Sequence, residues 1–318
     1  MQDVVDHWEG GLRATGGALR VDNSFWYLID FVWENNQWTY SSKEQQPGEL
    51  NVCGVSGQRE HLLRLEPSEA KETLGVFLAM DGNNRTQVDQ LHKKGTEFAD
   101  QICTSTLNHD KAWHAFKTTI QKTLEYPMEA INLTRSEWDY IMQPILSATL
   151  PKSGIVRTFP RTLVYASKSF SGLGILHPYL HQQIKHIHTC MEQTIQKSIT
   201  NNLLRSNTEQ LRLELGFNPD DSWHTNDTKS YLTPSWLRDL FTFCDSNDIY
   251  LHDDCHSLTL QTTNDQFIMR TLSQHYAGDD LRMINHCREF LQVTTLSDIS
   301  TADGLRIDPT MLTETSHL

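Results

Sequence analysis

The chain begins with a helical pattern of apolar residues, which a pair of glycines ends. Apolar residues three and four positions apart share one face of a helix. This spacing relates Val4, Val5, Trp8 and Leu12. Gly16 and Gly17 follow, and glycine adopts the positive φ that ends a helix at little cost. We expect an N-terminal helix that ends where both glycines take positive φ.

A strand pattern replaces the helical one at residue 25. Large apolar side chains occupy every second position: Phe25, Tyr27, Ile29, Phe31 and Trp33. Such alternation is typical of a strand with one buried face. Polar residues 34–37 predict a turn after which residues 38–40 pair back. Three more short strands are predicted at residues 50–53, 61–65 and 74–79. The pattern therefore indicates a small antiparallel sheet.

Helical patterns dominate from about residue 85 onward. Apolar residues at helical spacing predict helices over residues 88–102 and 113–124. Thr134 and Glu137 form a capping box that begins a third helix, and we expect Pro144 to kink or shorten it. Pro178 suits the first turn of a long helix. A further helix is predicted to end at Gly216.

The last hundred residues combine a linker with mixed elements. Polar, turn-rich residues 217–230 are the best candidate for a linker. Beyond them we predict a helix from Pro234, strands at 249–251 and 258–260, and helices near 263–276 and 279–291. The tail after Asp298 is weakly patterned and is expected to be disordered.

These elements predict an α+β fold in which helices dominate. An N-terminal helix and the small antiparallel sheet come first, and helical regions follow. The predicted divisions are residues 1–84, 85–216, 217–230 and 231–318.

Composition places the chain among globular proteins. Its 318 residues are 38% hydrophobic and 21% charged, which is enough apolar side chain for a packed core. We find neither an apolar run of about 18 residues nor the basic and apolar blocks of a signal peptide. The six cysteines are scattered, as is typical of thiols in a reducing compartment. We expect a cytoplasmic or nuclear protein that is not secreted and has no membrane partner.

Charge is unevenly distributed. The net charge is −13, which argues against wholesale coating of nucleic acid. Residues 152–212, however, contain eight Lys and Arg against two Glu, a local net of +6 between segments of net −8 and −11. Uneven surface charge explains this pattern, and so does a groove that follows a polyanion backbone.

One acidic loop contains some, but not all, of the residues that a metal site needs. Asp253 and Asp254 lie between two predicted strands, where a polymerase palm would hold Mg²⁺. The spacing from Tyr250 is one residue too long, and we can nominate no partner aspartate. Zinc ligands are bunched in the same loop: His252, Asp253, Cys255 and His256. Zinc sites usually pair ligands from two separated places. An exposed acidic turn explains the loop equally well, so we predict no catalytic or metal-binding residue.

No motif identifies a function, but several segments of the chain resemble a known protein family. The segments WEGGLRATGGAL at residues 8–19 and SFWYLIDFVW at 24–33 resemble the reverse transcriptases of retrotransposons from unicellular eukaryotes. The resemblance continues through residues 64–83, 124–134, 150–175 and 280–304. It therefore covers nearly the whole chain.

The resemblance implies the C-terminal portion of an RNA-directed DNA polymerase from a transposable element. Residues 1–84 would be a palm remnant with the aromatic hairpin, residues 85–216 a thumb, and residues 231–318 a connection region. In this family the metal-binding aspartates lie upstream of the position of Met1. The resemblance therefore implies a fragment that is inactive alone. It has no cofactor of its own, and Mg²⁺ belongs to the complete polymerase.

The same resemblance implies a site and partners. The candidate nucleic-acid-binding residues are Gly16, Gly17, Asn23, Phe25, Trp26, Tyr27, Lys152, Arg157, Arg161 and Lys168. Relatives commonly carry Lys at position 23, where it would stabilise the departing pyrophosphate; Asn23 cannot do so. The expected partners are an RNA/DNA template–primer and the upstream fingers–palm portion. The alternative is a non-enzymatic, acidic, helical interaction protein that does not bind nucleic acid.

Overall fold

The chain is α+β with helices dominant, as predicted: helices account for 55% and strands for 11% of the structure. This computed structural model describes residues 1–34, 37–54, 57–217, 231–249, 251, 258–262, 265–301 and 306–307. Contacts divide the chain into two compact units, Met1–Tyr179 and Leu180–Leu318. The boundaries predicted at residues 84/85, 216/217 and 230/231 stay predictions.

Helix α1 (Gln2–Ala14) is present as predicted, and Gly16 ends it at φ +81°. Gly17 does not take positive φ, so that part of the prediction is wrong. Its backbone N–H instead donates to the Leu12 carbonyl at 2.8 Å, which closes the last turn of the helix. One left-handed residue is therefore enough to end α1.

The strands in the described ranges form four separate two-stranded ladders. Strand β1 (Phe25–Tyr27) pairs in parallel with β6 (Leu63–Leu65). The other three pairs are antiparallel: β2 (Phe31–Glu34) with β3 (Gln37–Tyr40), β4 (Asn51–Cys53) with β5 (Arg59–His61), and β7 (Lys71–Thr73) with β8 (Val76–Leu78).

The strand predicted over residues 25–33 is interrupted between β1 and β2. The Asp30 carboxylate accepts the backbone N–H of Phe31 at 2.8 Å. A side-chain acceptor of this kind competes with the ladder for backbone donors. The predicted pairing of residues 38–40 with the preceding strand is confirmed.

The β2–β3 hairpin exposes the face that the pattern predicted to be buried. Its exposed face carries Phe31, Trp33, Trp38 and Tyr40, which we call the aromatic ladder. Val32 and Thr39 lie on the opposite face and are half-buried. Alternation identifies which side chains share a face, but packing decides which face is covered, and here it covers the face with Val32 and Thr39.

Helix α1 packs on β4 through polar side chains. Gln2 exchanges two hydrogen bonds with the backbone of Asn51, at 2.7 and 3.0 Å. The buried Glu9 carboxylate accepts the N–H of Cys53 at 3.1 Å. The apolar residues Val4 and Trp8 are exposed. Side chains of α1 therefore accept the backbone N–H groups on the edge of β4 that does not pair with β5.

The main core of the N-terminal unit is helical. It is formed by α2 (Arg85–Thr104), α3 (His109–Ala115), a π-helical segment (Phe116–Ile120), α4 (Gln121–Glu125) and α5 (Arg135–Lys152). The predicted capping box of Thr134 and Glu137 is confirmed at the start of α5. Pro144 does not shorten this helix, which continues to Lys152. Pro144 is half-buried and has no N–H, so it removes the i+4 helical donor of the Tyr140 carbonyl without ending the helix.

Three of the candidate basic residues, Arg157, Arg161 and Lys168, lie in or next to two short elements that follow α5. These are α6 (Arg161–Tyr165) and a 3₁₀ turn (Lys168–Phe170). Helix α7 (Pro178–Ile195) then begins at the predicted Pro178.

The C-terminal unit contains four helices in its described ranges after α7: α8 (Ile199–Leu215), α9 (Trp236–Ser246), α10 (Ile268–Leu272) and α11 (Gly278–Phe290). Gly216 ends α8 at φ +76°, as predicted. Phe217 is buried in the core of this unit, and the rest of the predicted linker lies outside the described residues. Residues 249, 251 and 258–260 are not in strands. Most of the tail predicted to be disordered also lies outside the described residues.

Candidate nucleic-acid interface

The N-terminal candidate residues lie at the end of α1 and on β1. Gly16 and Gly17 form the exposed turn after α1, and Asn23 ends a short 3₁₀ turn (Val21–Asn23) with its side chain exposed. The Asn23 N–H donates to the Arg20 carbonyl at 3.1 Å. This hydrogen bond closes the turn, so Asn23 acts here as a turn residue.

The aromatic residues of β1 are half-buried. The Trp26 ring lies 5.1 Å from the Arg64 guanidinium and packs against the small core that includes Val52. Phe25 and Tyr27 contact each other edge to face at 5.7 Å. The Tyr27 hydroxyl donates to the Glu69 carbonyl at 2.9 Å. Each ring already has a packing partner, so β1 offers little open aromatic surface.

Lys152 is engaged within the fold. Its Nζ donates to the Ser105 carbonyl at 2.5 Å, where Ser105 caps the end of α2. A cation at a helix C-terminus satisfies carbonyls that have no helical partner. Lys152 therefore stabilises the α2–α5 pair.

The other three basic candidates lie in one exposed segment. Arg157, Arg161 and Lys168 are all exposed in residues 153–176, which we call the basic connection. The sequence contains no Asp or Glu from residue 140 to residue 191. Exposed hydroxyls of this segment accompany the cations: Thr158, Thr162, Ser167, Ser169 and Ser171. Cations and hydroxyls are the groups that bind phosphate oxygens.

A tight loop at residues 166–174 presents Lys168 together with Phe170. The Gly172 and Gly174 N–H groups donate to the carbonyls of Ser167 and Ala166, at 3.1 and 2.9 Å. A Cβ atom on Gly172 would lie 2.2 Å from the Ala166 carbonyl oxygen, so only glycine fits there. The Phe170 side chain is 78% exposed. An exposed aromatic ring beside a lysine is suited to stacking on a base.

No family model matches the chain, and no curated protein or solved structure gives a significant match.

The structure brings only part of the predicted site together. Arg157, Arg161 and Lys168 share one segment, whereas no hydrogen bond or ion pair within the described residues joins them to Gly16, Gly17 or β1. Sequence reasoning missed Phe170. Its signal was an aromatic residue between serines and glycines, in the stretch SKSFSGLG.

The predicted acidic loop lies outside the described residues, including Asp253 and Asp254. Among the residues that the structure describes, no group of three or more His, Cys, Asp or Glu could hold a metal ion. Within the same ranges, none of the helices has the length and apolarity needed to span a bilayer.

A buried histidine holds the start of α7 beside the basic connection. His177 Nδ1 accepts the backbone N–H of Tyr179 at 3.1 Å. Because that N–H can only donate, the proton of neutral His177 is on Nε2, which donates to the Asp139 carboxylate at 3.1 Å. The Tyr165 ring packs against the imidazole at 4.4 Å. Burial, followed by the charge of Asp139, raises the pKa of Tyr165 to about 12.

We expect His177 to make the protein less stable at acidic pH. Burial lowers the pKa of His177, and this effect outweighs the hydrogen bond and charge of Asp139; Arg135 lowers the pKa further. The unfolded chain therefore binds this proton more readily, and stability is lost as the pH falls below about 6.5. Protonation of Nδ1 would also break the bond to Tyr179.

The variant His177→Asn tests this expectation because Asn retains an acceptor for the start of α7 but does not titrate. Urea unfolding should show that the wild type loses more stability than the variant between about pH 7.5 and pH 5.5. Equal losses in the two proteins would contradict the assignment.

Proposed function

We propose that this chain is the duplex-holding portion of a retroelement reverse transcriptase: the end of the palm, the thumb and the connection region. The observation that carries the proposal is the basic connection, which exposes Arg157, Arg161 and Lys168 in a stretch without acidic residues. The family resemblance of residues 150–175 covers the same segment. The absence of acidic residues matters because like charge would repel a phosphate backbone.

The proposed role is to bind the duplex, without chemistry of its own. In the complete polymerase, Mg²⁺ would assist attack by the primer hydroxyl, and its ligands would belong to the upstream fingers–palm portion. Arg157, Arg161 and Lys168 would contact phosphates of the template–primer, which fixes the register of a duplex without reading its sequence. Phe170 would stack on an unpaired base at the end of the duplex.

We expect the chain to bind an RNA–DNA hybrid in a salt-dependent manner. Three phosphate contacts give a slope of about −2 to −3 when log K is plotted against log salt concentration. The triple variant Arg157→Gln/Arg161→Gln/Lys168→Gln should reduce this slope by about one for each lost contact. Fluorescence anisotropy of a labelled hybrid between about 50 and 200 mM salt measures both quantities.

A matched control removes the same charge elsewhere in the N-terminal unit. Lys93, Lys94 and Lys111 are exposed on α2 and α3, and their replacement by Gln should leave the salt slope close to that of the wild type. Equal losses in the two triple variants would show that only net charge matters. A wild type that fails to bind the hybrid at low salt would reject the proposal.

A second candidate function is that of an interaction protein without nucleic-acid binding. The exposed apolar residues Met1, just before α1, and Val4 and Trp8 of α1 favour it, because exposed apolar surface marks interaction sites. The hybrid-binding measurement discriminates between the two candidates. Absence of hybrid binding at low salt is the result that the second candidate predicts.

A further inference from the structure

The loop of residues 166–174 presents a serine hydroxyl that the fold does not use. The hydroxyls of Ser167 and Ser169 bond to each other at 2.8 Å, and Ser167 Oγ also accepts the Ser169 N–H at 3.3 Å. Ser171 is exposed, and none of the described residues forms a hydrogen bond with its hydroxyl. Among the serines of this loop, Ser171 therefore carries the hydroxyl that is available for reaction.

The backbone at Ser171 favours local opening of the loop. Ser171 adopts φ +61° and ψ +20°, a left-handed conformation that residues other than Gly, Asn and Asp rarely adopt. A hydrogen bond from its N–H to the Lys168 carbonyl, at 3.1 Å, closes this turn. A protein kinase binds the residues around its target in an extended conformation, which relieves this backbone strain. Gly172 follows directly, and glycine restricts the opened chain least.

The charge around Ser171 matches one class of kinase substrate. Lys168 precedes Ser171 by three residues, and Arg157 and Arg161 are exposed in the same segment. The sequence contains no Asp or Glu from residue 140 to residue 191. Protein kinases select their substrates by charge pattern, and kinases with an acidic substrate groove require basic residues before the target serine. The basic connection is complementary to a kinase of this class.

A phosphate at Ser171 would oppose the binding of nucleic acid. A phosphoserine carries a charge of about −1.5 to −2 at pH 7. The exposed side chains of Arg157, Arg161 and Lys168 together carry +3, so one phosphate cancels about half of this charge or more. It also repels the phosphates of a duplex. Lys168 lies in the same turn and can pair with the new phosphate instead of with the duplex.

We propose that Ser171 is a phosphorylation site and that its phosphate releases the duplex from the basic connection. The Ser171 hydroxyl oxygen attacks the γ-phosphorus of ATP. The bond from this phosphorus to the bridging oxygen of ADP breaks, and the hydroxyl proton passes to a base of the kinase. The kinase is a serine/threonine kinase that requires basic residues before its target. This regulation rests on the duplex-holding function proposed above.

The first measurement locates the phosphate and involves no nucleic acid. The full chain is incubated with MgATP and the catalytic domain of protein kinase C, a kinase of this class, and phosphopeptides are identified by mass spectrometry. We expect one phosphate within residues 153–176, at Ser171, and none in this segment of Ser171→Ala. A segment without phosphate, or with the phosphate at Thr158 or Ser169 instead, would overturn the assignment.

The second measurement is the affinity for a labelled RNA–DNA hybrid, by fluorescence anisotropy. The phosphorylated wild type should bind at least about tenfold more weakly than the untreated protein, with a salt slope smaller by about one to two. Ser171→Asp and Ser171→Asn separate charge from conformation, because Asp and Asn have the same size and both tolerate the left-handed region. The Asp variant should bind about threefold more weakly than the Asn variant, or weaker still.

The matched control is Ser68→Asp, which adds the same charge at an exposed turn of the N-terminal unit outside the basic connection and should leave the hybrid affinity unchanged. Equal losses in Ser68→Asp and Ser171→Asp, or equal affinities of Ser171→Asp and Ser171→Asn, would overturn the regulation. Hybrid binding that persists unchanged after phosphorylation at Ser171 would overturn it too, and would leave the duplex-holding function standing. A wild type that fails to bind the hybrid before phosphorylation rejects both proposals.

Discussion

Replacing Arg288 by methionine is expected to lower the free energy of unfolding by about 3 kcal/mol. Arg288 lies on α11 and is only 5% exposed. Its guanidinium donates to the carbonyls of Leu213 and Glu214 in the last turn of α8, the latter at 3.1 Å. It also donates to the Asn285 side chain at 2.9 Å. Carbonyls in the last turn of a helix have no helical partner, so methionine would leave them buried and unsatisfied.

Arg205→Met is the matched control for this loss. Arg205 lies on α8, the helix that Arg288 caps, and forms an ion pair with Glu209 at 3.3 Å. Both side chains are nearly half exposed, and exposed pairs contribute less than about 1 kcal/mol. Urea unfolding of the two variants under identical conditions separates capping from loss of charge. Similar losses in the two variants would refute the capping role of Arg288.

Replacing Trp138 by alanine should have the largest effect in the N-terminal unit, a loss of about 3–5 kcal/mol. Trp138 lies on α5, is fully buried and is the largest such side chain in the core. The loss combines the transfer of an indole to water with a cavity that the packed α2–α5 pair can fill only in part. Gly95 of α2 illustrates how close that pair is, since a Cβ atom there would lie 3.1 Å from the Ile145 side chain.

Tyr140→Ala provides the comparison on the same helix. The Tyr140 side chain is exposed and stacks on His92 with ring centroids 4.0 Å apart. Its truncation should lower the free energy of unfolding by about 1 kcal/mol or less, because an exposed ring pair contributes about that much. Denaturant unfolding in parallel gives both values. If Trp138→Ala lost no more stability than Tyr140→Ala, burial of the indole would not be a major contribution to the stability of this core.

Local sequence signals predicted much of the helical architecture. The capping box at Thr134 and Glu137, Pro178 in the first turn of α7 and Gly216 after α8 all lie where the sequence placed them. Each signal acts through backbone donors, acceptors or φ values of its own segment. Such signals need no knowledge of the distant packing.

Burial was harder to predict because it depends on distant partners. The pattern of residues 25–33 identified the side chains that share a face, but Phe31 and Trp33 proved to be exposed. Val4 and Trp8 of α1 are exposed for a related reason, since this helix is held to β4 by Gln2 and Glu9. Alternation carries no information about which side finds a neighbour.

The candidate site was predicted in outline by its charge. Arg157, Arg161 and Lys168 are exposed as a nucleic-acid contact requires, whereas Lys152 is engaged with the end of α2. Charge counting cannot separate these cases, because a lysine that satisfies helix carbonyls has the same sequence signature as a free one. Phe170 could not be predicted from the sequence, because its exposure depends on the loop that Gly172 makes possible.

The attachment of α1 to β4 gives that strand two unlike edges. Along one edge, backbone pairing with β5 includes the bond from the Leu62 N–H to the Leu50 carbonyl at 2.8 Å. Along the other, the amides of Asn51 and Cys53 are held by the side chains of Gln2 and Glu9. Deuterium uptake at these two amides therefore follows the release of α1, while uptake at Leu62 follows the opening of the β4–β5 ladder. The amides along the two edges of this short strand thus report two separate motions.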